Sequence, residues 1–271
     1  MSQEETNRGD MSFLDHLEVL RWHLVRSAIV ILLFTTVAFI FKGFVFDTVI
    51  LAQKSSDFWT YRMFCEFSHL IGNGDALCME DMSFSLINIT MSGQFSLHIM
   101  TSIIAGVIIA FPYILFEIWR FITPALEKKE KKKALGLVFS GSILFILGIL
   151  FGYYCVSPLS VQFLGNYTVS DQVQNQIKLG SFISTVTTVT LVCGLVFQLP
   201  LIVYFLSKLG LLTPAFMRKY RKHAVVVTLV LSAIITPPDI SSQVLLTIPL
   251  LILYEFSIYI SKIVEKNASK K

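Results

Sequence analysis

Three polar side chains lie inside or at the edge of long apolar stretches of the chain. Glu117 lies near the end of one stretch, Gln198 lies deep in another, and Glu255 lies within the last one. A carboxylate in a membrane-spanning segment is unfavourable unless it faces a cavity or a partner group. We therefore expect these residues to face a concave surface or a partner protein, with an internal helix-to-helix hydrogen bond as the alternative for each.

Further carboxylates lie in two short polar segments. The string PALEKKEKKKA places Glu127 and Glu130 among five lysines, and Asp239 follows two prolines. A carboxylate such as Glu130 can bind a guanidinium through two parallel hydrogen bonds, because the planar Arg side chain matches its geometry. The alternatives are a solvated basic turn in the first segment and an N-cap of the last helix for Asp239.

The sequence shows no pattern that is typical of catalysis. It contains no nucleotide-binding glycine loop, no metal-ligand spacing and no nucleophilic triad, and its five histidines are scattered. We therefore expect no enzyme activity, no cofactor, no metal and no nucleic-acid partner.

The four cysteines fall into two pairs with different surroundings. Cys155 and Cys193 lie in apolar stretches, where we expect them to be inert packing residues. Cys65 and Cys78 share one polar loop, and a disulfide between them is possible if that loop lies outside the cytoplasm. Two free thiols fit the sequence equally well.

The composition is that of an integral membrane protein. Of the 271 residues, 54% are hydrophobic and only 15% are charged, and the mean hydropathy is +0.70. Soluble domains carry about 25% charged residues. No segment looks separately soluble, so residues 1–271 are expected to form a single membrane domain. The N-terminal segment has five acids and no apolar core, which is not the pattern of a signal peptide.

The apolar residues group into six stretches, which predict six transmembrane helices. Four exceed the roughly 20 residues that cross a bilayer. The last two are short and flank a PPD turn, so we expect a short hairpin that barely crosses, or a re-entrant pair. The predicted spans are 24–46, 95–119, 135–157, 179–206, 224–236 and 244–260, with an N-terminal tail at 1–22 and a C-terminal tail at 261–271.

Basic residues are distributed unevenly between the two sides of these spans. With six crossings, 18 of the 22 lysines and arginines fall on the side of the two termini, and four fall on the other. Positive charge accumulates on the cytoplasmic side of membrane proteins. The distribution therefore predicts a multi-pass protein of the cytoplasmic (inner) membrane with both termini in the cytoplasm.

Several separated strings resemble the TatC family of the twin-arginine protein translocase, along nearly the whole chain. The family's fold implies a concave all-α bundle of six helices. Its role implies recognition of signal peptides with two adjacent arginines, and assembly of a complex that exports folded proteins with the proton-motive force. The strings are DHLEVLRWHL, PYILFEIWRFITPALEKKE, FGYYCVSPL, FQLPLIVYFLSKLGLLTP and TPPDISSQVLLTIPLLILYEFSIYISK.

The resemblance also implies partners and site residues. The partners are single-span subunits of the TatA/TatB type, twin-arginine signal peptides, the lipid bilayer and further copies of the chain in a homo-oligomer. Gln198 stands where the family often has Glu, and Gln53 stands where many members have Pro. The residues that match the signal-peptide site are Glu130, Phe121, Pro124, His16 and Arg21, and those that match partner-facing positions are Asp239, Gln243 and Glu255.

One position departs from the family pattern. Val19 stands where the family usually has an acid, and Glu18 lies one residue earlier. In a helix, one residue corresponds to about 100° of rotation. Glu18 is therefore expected to replace the missing acid only if the backbone brings it to the same face.

A small-solute or ion secondary transporter is the alternative function. Such a protein places charged or polar groups near the middle of the bilayer and uses them for coupling. Glu255 and Gln198 are the residues that could serve this role.

Overall fold

The computed structural model shows a mainly helical membrane protein with a small two-stranded sheet. It describes residues 13–70, 78, 84–122, 134–170, 175–236 and 240–268. In chain order the elements are α1 (Phe13–Ile40), α2 (Trp59–Leu70), β1 (Ser85–Ile87), α3 (Gly93–Ile122), α4 (Ala134–Phe151), α5 (Ser157–Asn166), β2 (Gln176–Lys178), α6 (Leu179–Val196), α7 (Leu199–Lys208), α8 (Pro214–Lys219), α9 (Arg221–Ile235) and α10 (Ile240–Ala268).

Five helical segments within the described ranges are long and apolar enough to cross a membrane. The predicted stretch 224–236 corresponds to α9, which has 15 residues and ends at Ile235. At 1.5 Å per residue α9 spans only about 22 Å, less than the hydrocarbon core of about 30 Å. The five long segments are Leu17–Ile40, Gly93–Ile122, Leu135–Asn166, Leu179–Lys208 and Ser242–Lys266.

The last helix corrects the expected length of the terminal hairpin. The apolar stretch 244–260 predicts a short helix, whereas α10 has 29 residues. The helix continues past the apolar stretch because Lys262, Glu265 and Lys266 are good helix formers whose charged ends reach water. The hairpin is therefore asymmetric, with a short first arm and a long second arm.

Prolines accompany irregular turns in the third and fourth long segments. A π-helical turn, Gly152–Val156, joins α4 to α5, and Pro158 lies in the first turn of α5. Residues 197–198 separate α6 from α7, whose first turn contains Pro200. Proline has no N–H group and cannot continue the hydrogen-bond ladder of a preceding helix.

The chain after α1 compensates for the donor missing at Pro158. In an α-helix the backbone N–H of residue 158 would donate to the carbonyl of Tyr154, and in a π-helix it would donate to the carbonyl of Tyr153. Instead the side chain of Thr60 donates to the Tyr154 carbonyl, and Nε2 of Gln53 donates to the Tyr153 carbonyl at 2.9 Å. We call residues 44–61, with the helix turns on which they pack, the cap.

Polar groups inside the cap are bonded to one another and surrounded by apolar side chains. Ser157 donates to Oε1 of Gln53 at 2.7 Å, and the Tyr61 hydroxyl donates to the carbonyls of Gln53 and Pro158, 3.0 and 3.2 Å away. Burial raises the pKa of the Tyr61 phenol above its ordinary value. The surrounding core includes Ile50, Phe58, Phe84, Val161, Phe182 and Val186.

Small residues allow the long helices to approach closely. A Cβ atom on Gly106 of α3 would lie 2.3 Å from Oγ1 of Thr35 on α1, and one on Gly148 of α4 would lie 2.7 Å from the Cys193 carbonyl of α6. Glycine therefore sets the spacing of these two helix pairs, as is common for helices in membranes.

At one end of the bundle β1 pairs in parallel with β2, with Leu86 opposite Ile177.

Candidate functional site

Helices α1 and α3 bring together a buried pair, His23 and Glu117. Glu117 is 1% exposed, and Nδ1 of His23 hydrogen-bonds to its Oε2 atom. The Tyr113 hydroxyl, one turn earlier on α3, donates to Oε1 at 2.7 Å. Both carboxyl oxygens are therefore bonded, one from each helix, which is the internal helix-to-helix arrangement that the sequence left open for Glu117.

An apolar cavity of about 670 Å³ lies beside this pair, between α1 and α3. We call it the groove. His23 and Glu117 lie on its wall, and the rings of Phe121 and His23 make a T-shaped contact with centroids 6.0 Å apart. The groove thus combines a hydrophobic surface with one ionisable pair. Its other lining residues include Leu20, Leu24, Ala28, Ile114 and Ile118.

The start of α1 carries the N-terminal residues predicted for the signal-peptide site. Helix α1 begins at Phe13, so His16, Glu18 and Arg21 are helical, and the Glu18 and Arg21 side chains are exposed. The guanidinium of Arg21 lies 5.9 Å from the Trp22 ring centroid. Since the backbone is helical here, Glu18 and the exposed Val19 point about 100° apart.

The remaining predicted residues of this site lie at the end of α3 and in the sequence that follows it. Phe121, in the last turn of α3, is half-buried in the groove wall. Pro124, Glu130 and Asp239 lie outside the described residues. The described part of the site is therefore the groove and the two helix ends beside it.

Gln198 lies at the break between α6 and α7 and is 7% exposed. Its Nε2 atom donates to the Gly141 carbonyl of α4 at 2.9 Å. This is again the internal bond that the sequence left open. The bond joins α4 to the helix break that Pro200 imposes, so the carboxamide supports packing at this point.

Glu255 of α10 has a partner that sequence reasoning missed. Its Oε2 atom lies 2.6 Å from the Arg221 guanidinium at the start of α9, and each side chain is about half exposed, at 53% and 50%. Gln243, at the other end of these helices, reaches the Leu229 carbonyl at 3.4 Å. Charged and polar contacts therefore link both ends of the terminal helix pair.

These contacts do not favour the transporter alternative. Gln198 is bonded to α4, while Glu255 is paired with α9. The two groups that would have to cooperate in coupling have separate partners on separate helices.

The structure joins Cys65 and Cys78 in a disulfide, and His69 lies beside it, with Nε2 3.5 Å from Sγ of Cys78. The other two cysteines lie among apolar helices, as expected for packing residues, and Cys193 is fully buried. The grouping with His69 was missed, because the sequence analysis treated this segment as a polar loop, and Cys65 and His69 share a face only in the helix that the structure shows.

Other missed residues are His23, Tyr113 and Arg221. A buried Glu117 demands a hydrogen-bond donor, but the sequence alone does not indicate which of the five histidines or 22 basic residues supplies it.

Comparison with known proteins points to one family. Residues 15–249 match the family model described as Sec-independent protein translocase protein (TatC). The Sec-independent protein translocase protein TatC of Blattabacterium sp. subsp. Periplaneta americana (strain BPLAN) is 36% identical over 97% of this chain and 99% of the relative. The protein TatCy of Bacillus subtilis (strain 168) is 31% identical over 97% of this chain and 93% of the relative.

Two solved structures are similar along most of the chain. One, described as the crystal structure of twin arginine translocase receptor TatC, superposes with a TM-score of 0.68 at 33% identity and covers 92% of this chain and 99% of its own. The second, of TatC in DDM, has a TM-score of 0.69 at 34% identity and covers 90% and 98% of the two chains.

Proposed function

The chain belongs to the TatC family of Sec-independent protein translocase proteins, and we propose that it is the receptor and core subunit of a twin-arginine translocase. In this role it binds signal peptides with two adjacent arginines and nucleates a complex that exports folded proteins with the proton-motive force. The role is that of a receptor rather than an enzyme. The observation that carries the proposal is the similarity over 92% of the chain to the solved receptor.

The proposed signal-peptide site lies where α1 begins and α3 ends. Glu130, in the loop after α3, is the main carboxylate for the arginine pair, since a guanidinium bound in bidentate fashion at a partly dehydrated surface gains more than an exposed ion pair. His16, Glu18 and Arg21 are the residues of α1 proposed for the same site. Phe121 and Pro124 supply apolar contacts for the peptide next to the arginines.

Glu117 has a supporting role in this proposal. Its carboxylate is occupied by His23 and Tyr113, so it fixes α3 against α1 and holds the groove wall in place. Gln198 does the same between α4 and the helix break. Neither side chain needs to ionise or contact the peptide to serve the receptor role.

The terminal helix pair is the proposed contact for single-span subunits of the TatA/TatB type. Glu255 is half exposed on α10, with its Arg221 partner, and Gln243 lies towards the opposite end of the same helix. Asp239, which precedes α10 in the sequence, is proposed as a further contact. The short α9 exposes an apolar face beside them. A single transmembrane helix can cover that face while its polar groups meet these side chains.

The proposed location is the cytoplasmic (inner) membrane, with both termini in the cytoplasm and the chain present as a homo-oligomer. This topology follows from the 18-to-4 distribution of basic residues. It places the groove on the cytoplasmic side, where precursors arrive, and the cap on the outer side. A cysteine at position 131 should then react with impermeant reagents only from the cytoplasmic face.

Photocrosslinking tests the receptor role directly. A photoreactive residue in the loop after α3 should crosslink to a twin-arginine precursor, and Glu130→Ala should abolish that product in inserted, full-length protein. Glu127→Ala is the matched control, because it removes the same charge from the same loop and should leave crosslinking unchanged. Equal crosslinking in wild type and Glu130→Ala would remove Glu130 from the site.

A further inference from the structure

One cluster of metal-binding side chains lies outside the proposed receptor site. Cys65 and His69 are four residues apart on α2 and so share one face of that helix. Cys78 lies against them and is bonded to Cys65. The two cysteines are partly exposed and the histidine is exposed, so reductants and ions in solution can reach all three.

The positions of the three side chains match a tetrahedral metal site. Their ligand atoms all lie within 4.8 Å of one another. With Zn–S near 2.3 Å and Zn–N near 2.0 Å, a sulfur and a nitrogen on one tetrahedral ion lie about 3.5 Å apart. The Sγ atom of Cys78 and Nε2 of His69 are 3.5 Å apart. This pair of ligand atoms therefore already has the spacing that one zinc ion requires.

The two sulfur atoms reach the spacing of zinc ligands only when the disulfide opens. Two thiolates on one zinc ion lie about 3.8 Å apart, farther than bonded sulfurs. The Cα atoms of Cys65 and Cys78 are 4.2 Å apart, so both sulfurs stay within reach of one ion after rotation about their Cα–Cβ bonds. The backbone can therefore serve the oxidised and the metal-bound form.

We propose that Cys65, His69 and Cys78 form a Zn²⁺ site when the disulfide is reduced, so that disulfide and metal are alternative states of one cluster. Reduction breaks the S–S bond and adds two electrons and two protons. A dithiol supplies both, whereas a phosphine supplies the two electrons and is oxidised to its oxide, with water giving the oxygen and the two protons. Zn²⁺ then displaces both thiol protons and binds two thiolates and the imidazole. Water takes the fourth position. Thiolate and imidazole ligands favour zinc over magnesium or calcium.

The site is independent of signal-peptide recognition, because α2 lies beyond the cap end of α1 and the groove lies beside the other end. Zinc binding should therefore leave precursor binding at Glu130 unchanged. It should also protect the two thiols from reoxidation. The same two sulfurs cannot be bonded to each other and to the ion at once.

Zinc titration of the tag-free full-length protein in detergent tests the proposal. Protein reduced with a phosphine should take up one zinc ion per chain in competition with a chromophoric chelator, and the oxidised protein should take up none. His69→Gln should weaken zinc binding by more than about 100-fold, because loss of an outer hydrogen-bond partner alone costs roughly 10- to 100-fold. Cys65→Ser should abolish it.

Cys155→Ser is the control, since it removes a thiol from an apolar helix segment and should leave zinc binding unchanged. The His69→Gln variant keeps both cysteines, so formation of its disulfide shows that the loop still folds. Equal zinc uptake by wild type and Cys65→Ser, or none by reduced wild type, would overturn the proposal. So would equal rates of thiol oxidation with and without zinc.

Discussion

The groove and the cap lie at opposite ends of α1, and the two regions use polar groups differently. In the cap, neutral side chains such as Gln53 and Thr60 donate to main-chain carbonyls in the turn before Pro158, which lacks an N–H group. Beside the groove, the polar groups form an ionisable pair between two helices, next to about 670 Å³ of apolar space.

This difference indicates that the cap holds parts of the chain together, whereas the groove leaves room for a ligand. Every bond described in the cap joins one part of the chain to another, and the surrounding side chains fill the space between them. The groove has one such linkage, and the rest of its surface remains open. Binding regions are commonly the less tightly packed parts of a protein, so we expect the two regions to respond differently to substitution.

The largest expected effect is at the one linkage beside the groove. Glu117→Ala leaves His23 and Tyr113 without their shared partner, which should lower the free energy of unfolding by about 3 kcal/mol. Denaturant unfolding in detergent measures the loss. Glu255→Ala is the control, because its half-exposed pair with Arg221 should contribute less than about 1 kcal/mol. Equal losses in both variants would contradict the assignment of Glu117 as the structural linkage.

Gln53→Leu should destabilise the cap by about 2 kcal/mol, because the Tyr153 carbonyl and the Ser157 hydroxyl lose their partners in a buried site. Leu is similar in size, so the change tests the hydrogen bonds rather than the packing. Gln94→Leu is the matched control at an exposed position and should change stability little. If Gln53→Leu is as stable as wild type, the cap is held by apolar packing alone.

Tyr61→Phe should have a smaller effect, about 1 kcal/mol at neutral pH, because one hydroxyl shared between two carbonyls is removed. Burial raises the pKa of this phenol, so its favourable contribution is present below the unfolded value of about 10 and is lost as pH rises above it. The free energy of unfolding of wild type should therefore fall more steeply with pH than that of Tyr61→Phe. The difference should develop within about one pH unit of the ordinary tyrosine pKa of about 10. Parallel pH profiles for the two proteins would argue against a buried neutral phenol.

The smallest effect is expected at the exposed start of α1. Val19→Glu restores an acid at the family position and should strengthen binding of a twin-arginine peptide by up to about fivefold, as expected for an exposed ion pair of at most about 1 kcal/mol. Val19→Gln is the uncharged control. Glu18→Ala should weaken binding less than Glu130→Ala does, and peptide titration at two salt concentrations checks both effects. Identical affinities for Val19→Glu and Val19→Gln would mean that this face of α1 does not meet the arginines.

Much of the fold was predictable from the sequence because lipid imposes simple requirements. A segment that crosses the bilayer must be apolar for about 20 residues and must satisfy its own backbone, so hydropathy predicts long helices. The helical segments of 24 to 32 residues fall where four of the predicted spans and the last stretch lie. The strings such as FITPALEKKE identified the family, which comparison with known proteins confirms.

Helix ends were less predictable than helix positions. The stretch 244–260 ends where charged residues begin, yet α10 continues to Ala268. Charge ends the apolar pattern without ending the helix, because Lys and Glu are good helix formers in water. Hydropathy therefore measured the part of the helix that suits lipid rather than the helix itself.

The sequence by itself determined which polar residues had to find partners, because Glu117, Gln198 and Glu255 lie in apolar stretches where an unpaired group is unfavourable. Only the tertiary structure decided which residues are those partners. His23 is 94 residues from Glu117, and Arg221 is 34 residues from Glu255. Such pairs form because helix packing brings distant turns together, and packing depends on the shapes of whole helix faces rather than on any local pattern.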